Sequence, residues 1–220
     1  MKRYRFFFLL LLISGVLFLP LPYDMVQPGS VRSLGHYHMV TIKIDHANGY
    51  KILQSFTDSY ARVVPALDFD PAEEKEKRIH SQQTAKQVAV NLLQQPIRNE
   101  FDLSQIVGPS AGLIMALELL EQAKPQGLTK GGKIAGTGAL NEQGEVEEVG
   151  GVTFKLIAAD RAGVDVFFVP LANMPELEPF LETYPTDIKV IPVQTIQEAI
   201  QYLEKRKDHV RDYRHDNDVS

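Results

Sequence analysis

Gly108-Pro109-Ser110-Ala111-Gly112 runs without a break into Leu113-Ile114-Met115-Ala116-Leu117-Glu118-Leu119-Leu120. The second half consists mainly of strong helix formers, with an apolar face at Leu113, Ala116, Leu117 and Leu120. The stretch therefore predicts a turn that delivers Ser110 to the start of a core helix. At such a start the first backbone N–H groups have no intrahelical acceptor and the helix dipole is positive, which suits a developing oxyanion. Gly108, Pro109 and Gly112 are expected to shape this loop. The N–H groups near Ser110 and Ala111 are expected to face the attacked carbonyl.

A serine hydroxyl attacks well only when a neighbouring base takes its proton, and the chain offers no strong histidine candidate. A lysine lies further on, in Gly150-Gly151-Val152-Thr153-Phe154-Lys155. It falls in the first turn of a second predicted helix, roughly Thr153 to Arg161, closed by Gly163. The dipole disfavours an ammonium there, and Ala158 and Ala159 one turn on offer apolar surface. Bringing a lysine from about 10.4 to near 7 takes roughly 4 to 5 kcal/mol, which burial can supply. Ser110 reads as a nucleophile and Lys155 as its base.

The two boxes, in this order, resemble the proteolytic domain of the Lon proteases, which carries a Gly-Pro-Ser-Ala-Gly nucleophile box and a lysine four residues after a Gly-Gly pair. The resemblance continues through Lys133-Ile134-Ala135-Gly136-Thr137-Gly138, Asn141-Glu142-Gln143-Gly144-Glu145-Val146 and Ala158-Ala159-Asp160-Arg161-Ala162-Gly163, and covers about Phe101 to Pro170 firmly. Val107 departs from it, standing where the family commonly has glycine. The resemblance implies a Lon-type α+β fold and a serine endopeptidase that takes polypeptide substrates. It also implies a threonine, here Thr137, that supports the lysine, and a homo-oligomer, hexameric by analogy. The chain is also similar to bacterial Lon-like proteases that carry a PDZ domain. Here only Gln94 to Glu100 separate the helix and strand between which that domain is inserted, so no PDZ domain is expected.

At the N-terminus, Met1-Lys2-Arg3-Tyr4-Arg5 is basic and Phe6 to Leu21 is an uncharged apolar run. Its length as a helix, about 24 Å, falls short of a hydrocarbon core of roughly 30 Å, although flanking Lys, Arg and Tyr side chains extend its reach. Residues 1–24 are expected to form a retained single-pass anchor. Cleavage as a secretory signal is the alternative, and a buried helix of a cytosolic subunit a third reading. The basic flank keeps the N-terminus in the cytoplasm, which places the protein in the cell membrane with residues 25–207, the proteolytic domain, outside. Residues 208–220 are expected to form a polar tail.

The 220 residues carry a net charge of −5, with no basic surface pattern for nucleic acid, and contain no cysteine, which excludes disulfides and thiolate chemistry. Several further elements are legible. Met39 to Ile44 predicts a strand, Asp70-Pro71 opens a helix reaching Leu93, and Ile97 to Ile106 and Lys133 to Leu140 predict strands. Asn141 to Gly144 predicts a turn, Val164 to Val169 and Ile188 to Val193 strands, and Thr195 with Glu198 a capping box. The order shows no regular βαβ repeat, hence α+β.

Gly127-Leu128-Thr129-Lys130-Gly131-Gly132-Lys133 has phosphate-loop spacing, but Ile134 stands where the Mg²⁺ hydroxyl should be, so neither ATP nor another cofactor is expected. His36-x-His38 lacks an acidic neighbour in sequence and reads as solvated loop, with no metal expected. His80 reads as a surface residue on the charged helix. A competing reading is a catalytically silent scaffold at the membrane that keeps the Lon-like fold.

Overall fold

The computed structural model describes residues 15, 17–57, 59–68, 70–97, 108–123 and 127–206. Its elements are β1 (Pro20–Ser33), β2 (Tyr37–Asn48), α1 (Gly49–Ser55), β3 (Arg62–Pro65), α2 (Pro71–Leu93), α3 (Gly112–Ala123), β4 (Ile134–Gly136), β5 (Ala139–Leu140), β6 (Val146–Glu147), α4 (Val152–Arg161), β7 (Val166–Pro170), α5 (Met174–Leu181), β8 (Lys189–Val193) and α6 (Ile196–Lys205). The chain falls into two compact units, residues 1–30 with 42–69, and residues 31–41 with 70–220. In the first, β1 and β3 pair antiparallel from Tyr23↔Pro65 to Val26↔Arg62.

The second unit is built on parallel strands. Tyr37 to Met39 of β2 pair with Ile134 to Gly136 of β4, β4 pairs with β7, and β7 pairs with β8. The helix α4 lies between β4 and β7 in the chain and α5 between β7 and β8, so helices carry the crossovers that parallel strands require. The mixed α and β content follows the expectation from element order, whereas parallel pairing was not visible in it. All five residues of β7 are buried, as a strand covered on both faces should be. Side chains alternate between two cores. Ile134, Val166 and Phe168 join α2, α3 and α6 on one face, while Ala135, Phe167 and Val169 join α4 and α5 on the other.

The helix α3 is buried on every side from Gly112 to Glu121, so the amphipathic stripe expected from Leu113, Ala116, Leu117 and Leu120 is part of a fully enclosed helix. This enclosure takes in two carboxylates. Glu118 accepts from the His36 and Tyr37 N–H groups at 2.8 and 3.1 Å and from Gln122 Nε2 at 2.9 Å. Glu121 accepts from the Leu128 and Thr129 N–H groups, the Thr129 hydroxyl and the Tyr37 hydroxyl. Burial, reinforced by Glu121, pushes the Tyr37 hydroxyl well above its usual range and keeps it a donor. The backbone N–H groups of the phosphate-loop look-alike thus serve a carboxylate of this chain.

Several sequence expectations are corrected. The strand expected over Lys133–Leu140 is two strands, β4 and β5, broken at Thr137-Gly138, where Gly138 adopts φ 146°. The Gly138 N–H donates to the Ser110 carbonyl at 2.8 Å and the Gly138 carbonyl accepts from the Leu113 N–H at 3.0 Å, so the chain leaves the sheet to grip the serine turn. His36 is exposed in the bend before β2, as expected, while His38 lies within that strand. What the sequence hid is an acidic neighbour supplied from far along the chain, Glu118, whose Oε1 is 3.1 Å from His36 Nδ1. Among the described residues no group of three His, Asp or Glu is placed to hold a metal ion. At the amino end, Pro20 and Leu21 belong to β1 and not to a helix, and among the described residues no helix is long and apolar enough to cross a membrane. Most of the expected anchor, most of the strand expected at 97–106, the departure at Val107 and the tail at 208–220 lie outside the described residues.

Candidate active site

Ser110 sits in a single 3-10 turn, Pro109–Ala111, that feeds directly into α3. Gly108 precedes it at φ 84°, a conformation that a side chain would strain. Proline at the first helical position removes an N–H that would have no acceptor there, and the N–H groups of Ser110 and Ala111 follow it. Three neighbours fix the turn from different elements. Ser81 of α2 donates to the Pro109 carbonyl at 2.9 Å, and Thr137 Oγ1 and the Gly138 N–H both donate to the Ser110 carbonyl. Gly112 lets Leu140 approach, since a Cβ there would meet the Leu140 N at 3.0 Å.

Lys155 comes from the other core. Gly151, at φ 69°, caps α4, and its carbonyl accepts the Lys155 N–H at 3.1 Å, which places the lysine in the first turn as expected. Gly150 beside it has open space around its Cα. Asn173 holds the preceding segment with a pair of bonds, accepting from the Val149 N–H at 3.1 Å and donating to the Val149 carbonyl at 3.0 Å. Lys155 is 4% exposed, and burial pushes its amine down to about 8, against an opposing pull from the Glu176 carboxylate. Glu176, in the first turn of α5, accepts from Thr153 Oγ1 at 3.3 Å.

Thr137 connects the two halves. It is 1% exposed, and its hydroxyl donates to the Ser110 carbonyl at 3.1 Å while accepting from Lys155 Nζ at 3.1 Å. Its single proton is committed to Ser110, so toward the lysine it can only accept. A neutral Lys155 bonded in this way keeps its lone pair free for a second partner. A cavity of about 370 Å³, lined by His80, Ser81, Pro109, Leu140 and Glu147, opens beside the turn. His80, expected as a surface residue, is exposed at its rim. A larger cavity of about 740 Å³ lies by Asp165, Lys189 and Arg206, which are not residues of this cluster.

Residues 104–205 match the family described as Lon protease (S16) C-terminal proteolytic domain. The match is to the Lon-type proteolytic domain that the two boxes anticipated. Lon protease from Vibrio parahaemolyticus is 36% identical over 99 residues, 45% of this chain and 12% of its own length. Lon protease from Neorickettsia sennetsu is 32% identical over 95 residues, 43% of this chain and 11% of its own length. That from Mycolicibacterium smegmatis is 41% identical over 71 residues, 32% and 9% of the two chains. The chain thus spans about a tenth of the length of the curated relatives it matches. The Lon-type match contains Ser110, Thr137 and Lys155 together with the loops that join them.

Ser81, Asn173 and Glu176 support this cluster and escaped the sequence reading, as did Glu118 and Glu121 further along α3. Only Glu176 left a local signal, since Met174-Pro175-Glu176 is a plausible helix start. The segment 173–185, whose conformation could not be read from sequence, contains α5, disguised by Pro179 within it.

Proposed function

We propose that this chain is a serine endopeptidase working through a Ser110–Lys155 dyad on unfolded or flexible extracytoplasmic polypeptides, with its catalytic domain outside the cell membrane. The observation that carries the reading is the buried Lys155 amine, held by the same Thr137 hydroxyl that holds the Ser110 carbonyl. Neutral Lys155 takes the Ser110 Oγ proton as Oγ bonds to the scissile carbonyl carbon, and the Ser110 and Ala111 N–H groups take the oxyanion. Collapse breaks the C–N bond, and Lys155 returns the proton to the departing amine. Water, deprotonated by Lys155, then hydrolyses the ester and restores Ser110. The dyad chemistry consumes no nucleotide. Assembly as a homo-oligomer, a hexamer by analogy with Lon-like rings, belongs to the same proposal.

The basic and apolar start of the chain, Met1 to Leu21, supports a membrane anchor. To test the activity, the protein is incubated with an unfolded polypeptide such as casein, beside Ser110→Ala and Lys155→Arg. Cleavage by the parent and by neither variant supports the dyad. Equal cleavage by all three, or none by the parent at any pH or oligomeric state, sinks it and favours the silent scaffold.

A further inference from the structure

Among the described residues, large hydrophobic side chains left exposed are concentrated in the smaller unit. Phe18, Leu19, Leu21, Tyr23, Ile44, Tyr50, Leu53, Phe56, Val63 and Leu67 belong to it, and only Ile79, Leu92 and Leu171 to the larger one. An apolar surface gathered in this way marks a contact with another apolar medium. Part of it is α1, a helix of 7 residues that buries none of them. A helix so short is marginal in water unless an apolar face is packed. Tyr50, Leu53 and the following Phe56 recur every third residue and so share a side of the helix, and they are 43%, 55% and 81% exposed. Phe18 stacks on Tyr50 with ring centroids 5.5 Å apart.

Gln54 Nε2 donates to the Tyr50 hydroxyl at 3.2 Å, and the charged group of α1, Lys51, bonds back to the flank of the helix. Asn48 caps it by accepting from the Lys51 N–H at 2.8 Å, and Lys51 Nζ donates to the His46 carbonyl at 3.1 Å. No charged side chain therefore shares the Tyr50, Leu53 and Phe56 positions. Phe18 also belongs to the apolar run Phe6 to Leu21, whose last two residues are taken up by β1. A run too short to cross a bilayer alone, ending on a cluster of exposed aromatic and aliphatic groups, fits a chain that is drawn into the lipid up to that cluster.

We infer that Phe18, Tyr50, Leu53 and Phe56 form a lipid-immersed collar that seats the first unit in the interfacial layer of a bilayer. The collar rests on the membrane location proposed above and adds a second point of attachment to it. The chain contains no tryptophan, so one introduced indole reports unambiguously. The full chain bearing Phe56→Trp, and separately Leu171→Trp as an exposed site of the larger unit, is reconstituted into vesicles of equal phosphatidylcholine and phosphatidylglycerol with brominated acyl chains.

The collar predicts that both variants float with the vesicles, that the indole at position 56 loses at least half its emission to the brominated lipid and is shielded from iodide, and that the indole at 171 does neither. Flotation with an indole at 56 that stays open to iodide overturns the collar and leaves the anchor standing. Shielding from iodide without quenching by brominated lipid, accompanied by a dimer band on cross-linking, overturns it in favour of a second copy. Failure of both variants to float removes the membrane location and the collar together.

Discussion

Two buried ionisable regions flank the serine helix α3, and they are solvated in opposite ways. At its far end, Glu121 has four protein donors and Glu118 has three from His36, Tyr37 and Gln122. At its start, the Lys155 amine bonds to one side-chain oxygen, that of Thr137. A buried charge surrounded by matched dipoles is a structural fixture, whereas one with a single neutral partner is under pressure to discharge. The contrast lies within one helix length: the carboxylates hold loops, and the amine, the base of the proposed dyad, holds a proton loosely.

The sharpest way to break this comparison is to remove the weakly solvated group. Lys155→Met is expected to cut kcat/KM on an unfolded substrate by roughly 10³-fold or more while leaving the fold intact. The same variant should be more stable than the parent at neutral pH by about 3 kcal/mol, because the parent folds by lowering this amine from 10.5 to about 8. The sign follows from proton counts. Between about pH 8 and 10.5 the unfolded chain binds the extra proton, so parent stability rises with pH across that window and the penalty is complete below it. Urea titrations of the two proteins at pH 7 and at alkaline pH check both statements.

Removing the well-solvated group should do the reverse. Glu121→Ala strands the Leu128 and Thr129 N–H groups and two hydroxyls, at an expected cost of about 4 kcal/mol in stability, read from the denaturant midpoint. A measured loss below about 1 kcal/mol would dissolve the contrast.

Thr137 lies between the extremes. Thr137→Val keeps the shape but deletes both bonds, and kcat/KM should fall about 10- to 100-fold with the melting temperature changed far less than in Glu121→Ala, whereas Thr137→Ser should recover most of the rate. The smallest effect is expected at Glu176, whose carboxylate holds the Lys155 amine up. In the parent, kcat/KM should rise with pH through about 8 as the amine loses its proton, and in Glu176→Gln that limb should move to lower pH by a fraction of a unit. A shift to higher pH would reverse the assigned direction.

The parts of the site that were legible in the sequence are those whose geometry is local. Ser110 follows a Gly-Pro pair at a helix start and Lys155 follows a Gly-Gly pair in a first turn, and both placements hold. The parts that were not legible act across the chain. Glu118 meets His36 only after α3 has packed beside β2, and Ser81 meets Pro109 only after α2 has packed on the serine turn, and neither carries a spacing that marks it. The break between β4 and β5 was hidden for a related reason. Lys133 to Leu140 has strand composition throughout, and what interrupts it is the serine turn docking on Thr137 and Gly138.

That docking also frees the serine side chain from any structural duty. The bonds that fix the turn run from Ser81 to the Pro109 carbonyl, from Thr137 and Gly138 to the Ser110 carbonyl, and from Leu113 to the Gly138 carbonyl, and none of them uses Ser110 Oγ. Under the proposed dyad, Ser110→Ala should therefore keep the binding surface of the parent while it cannot form the ester. Such a protein would be a substrate trap, holding its targets long enough for them to be recovered and named.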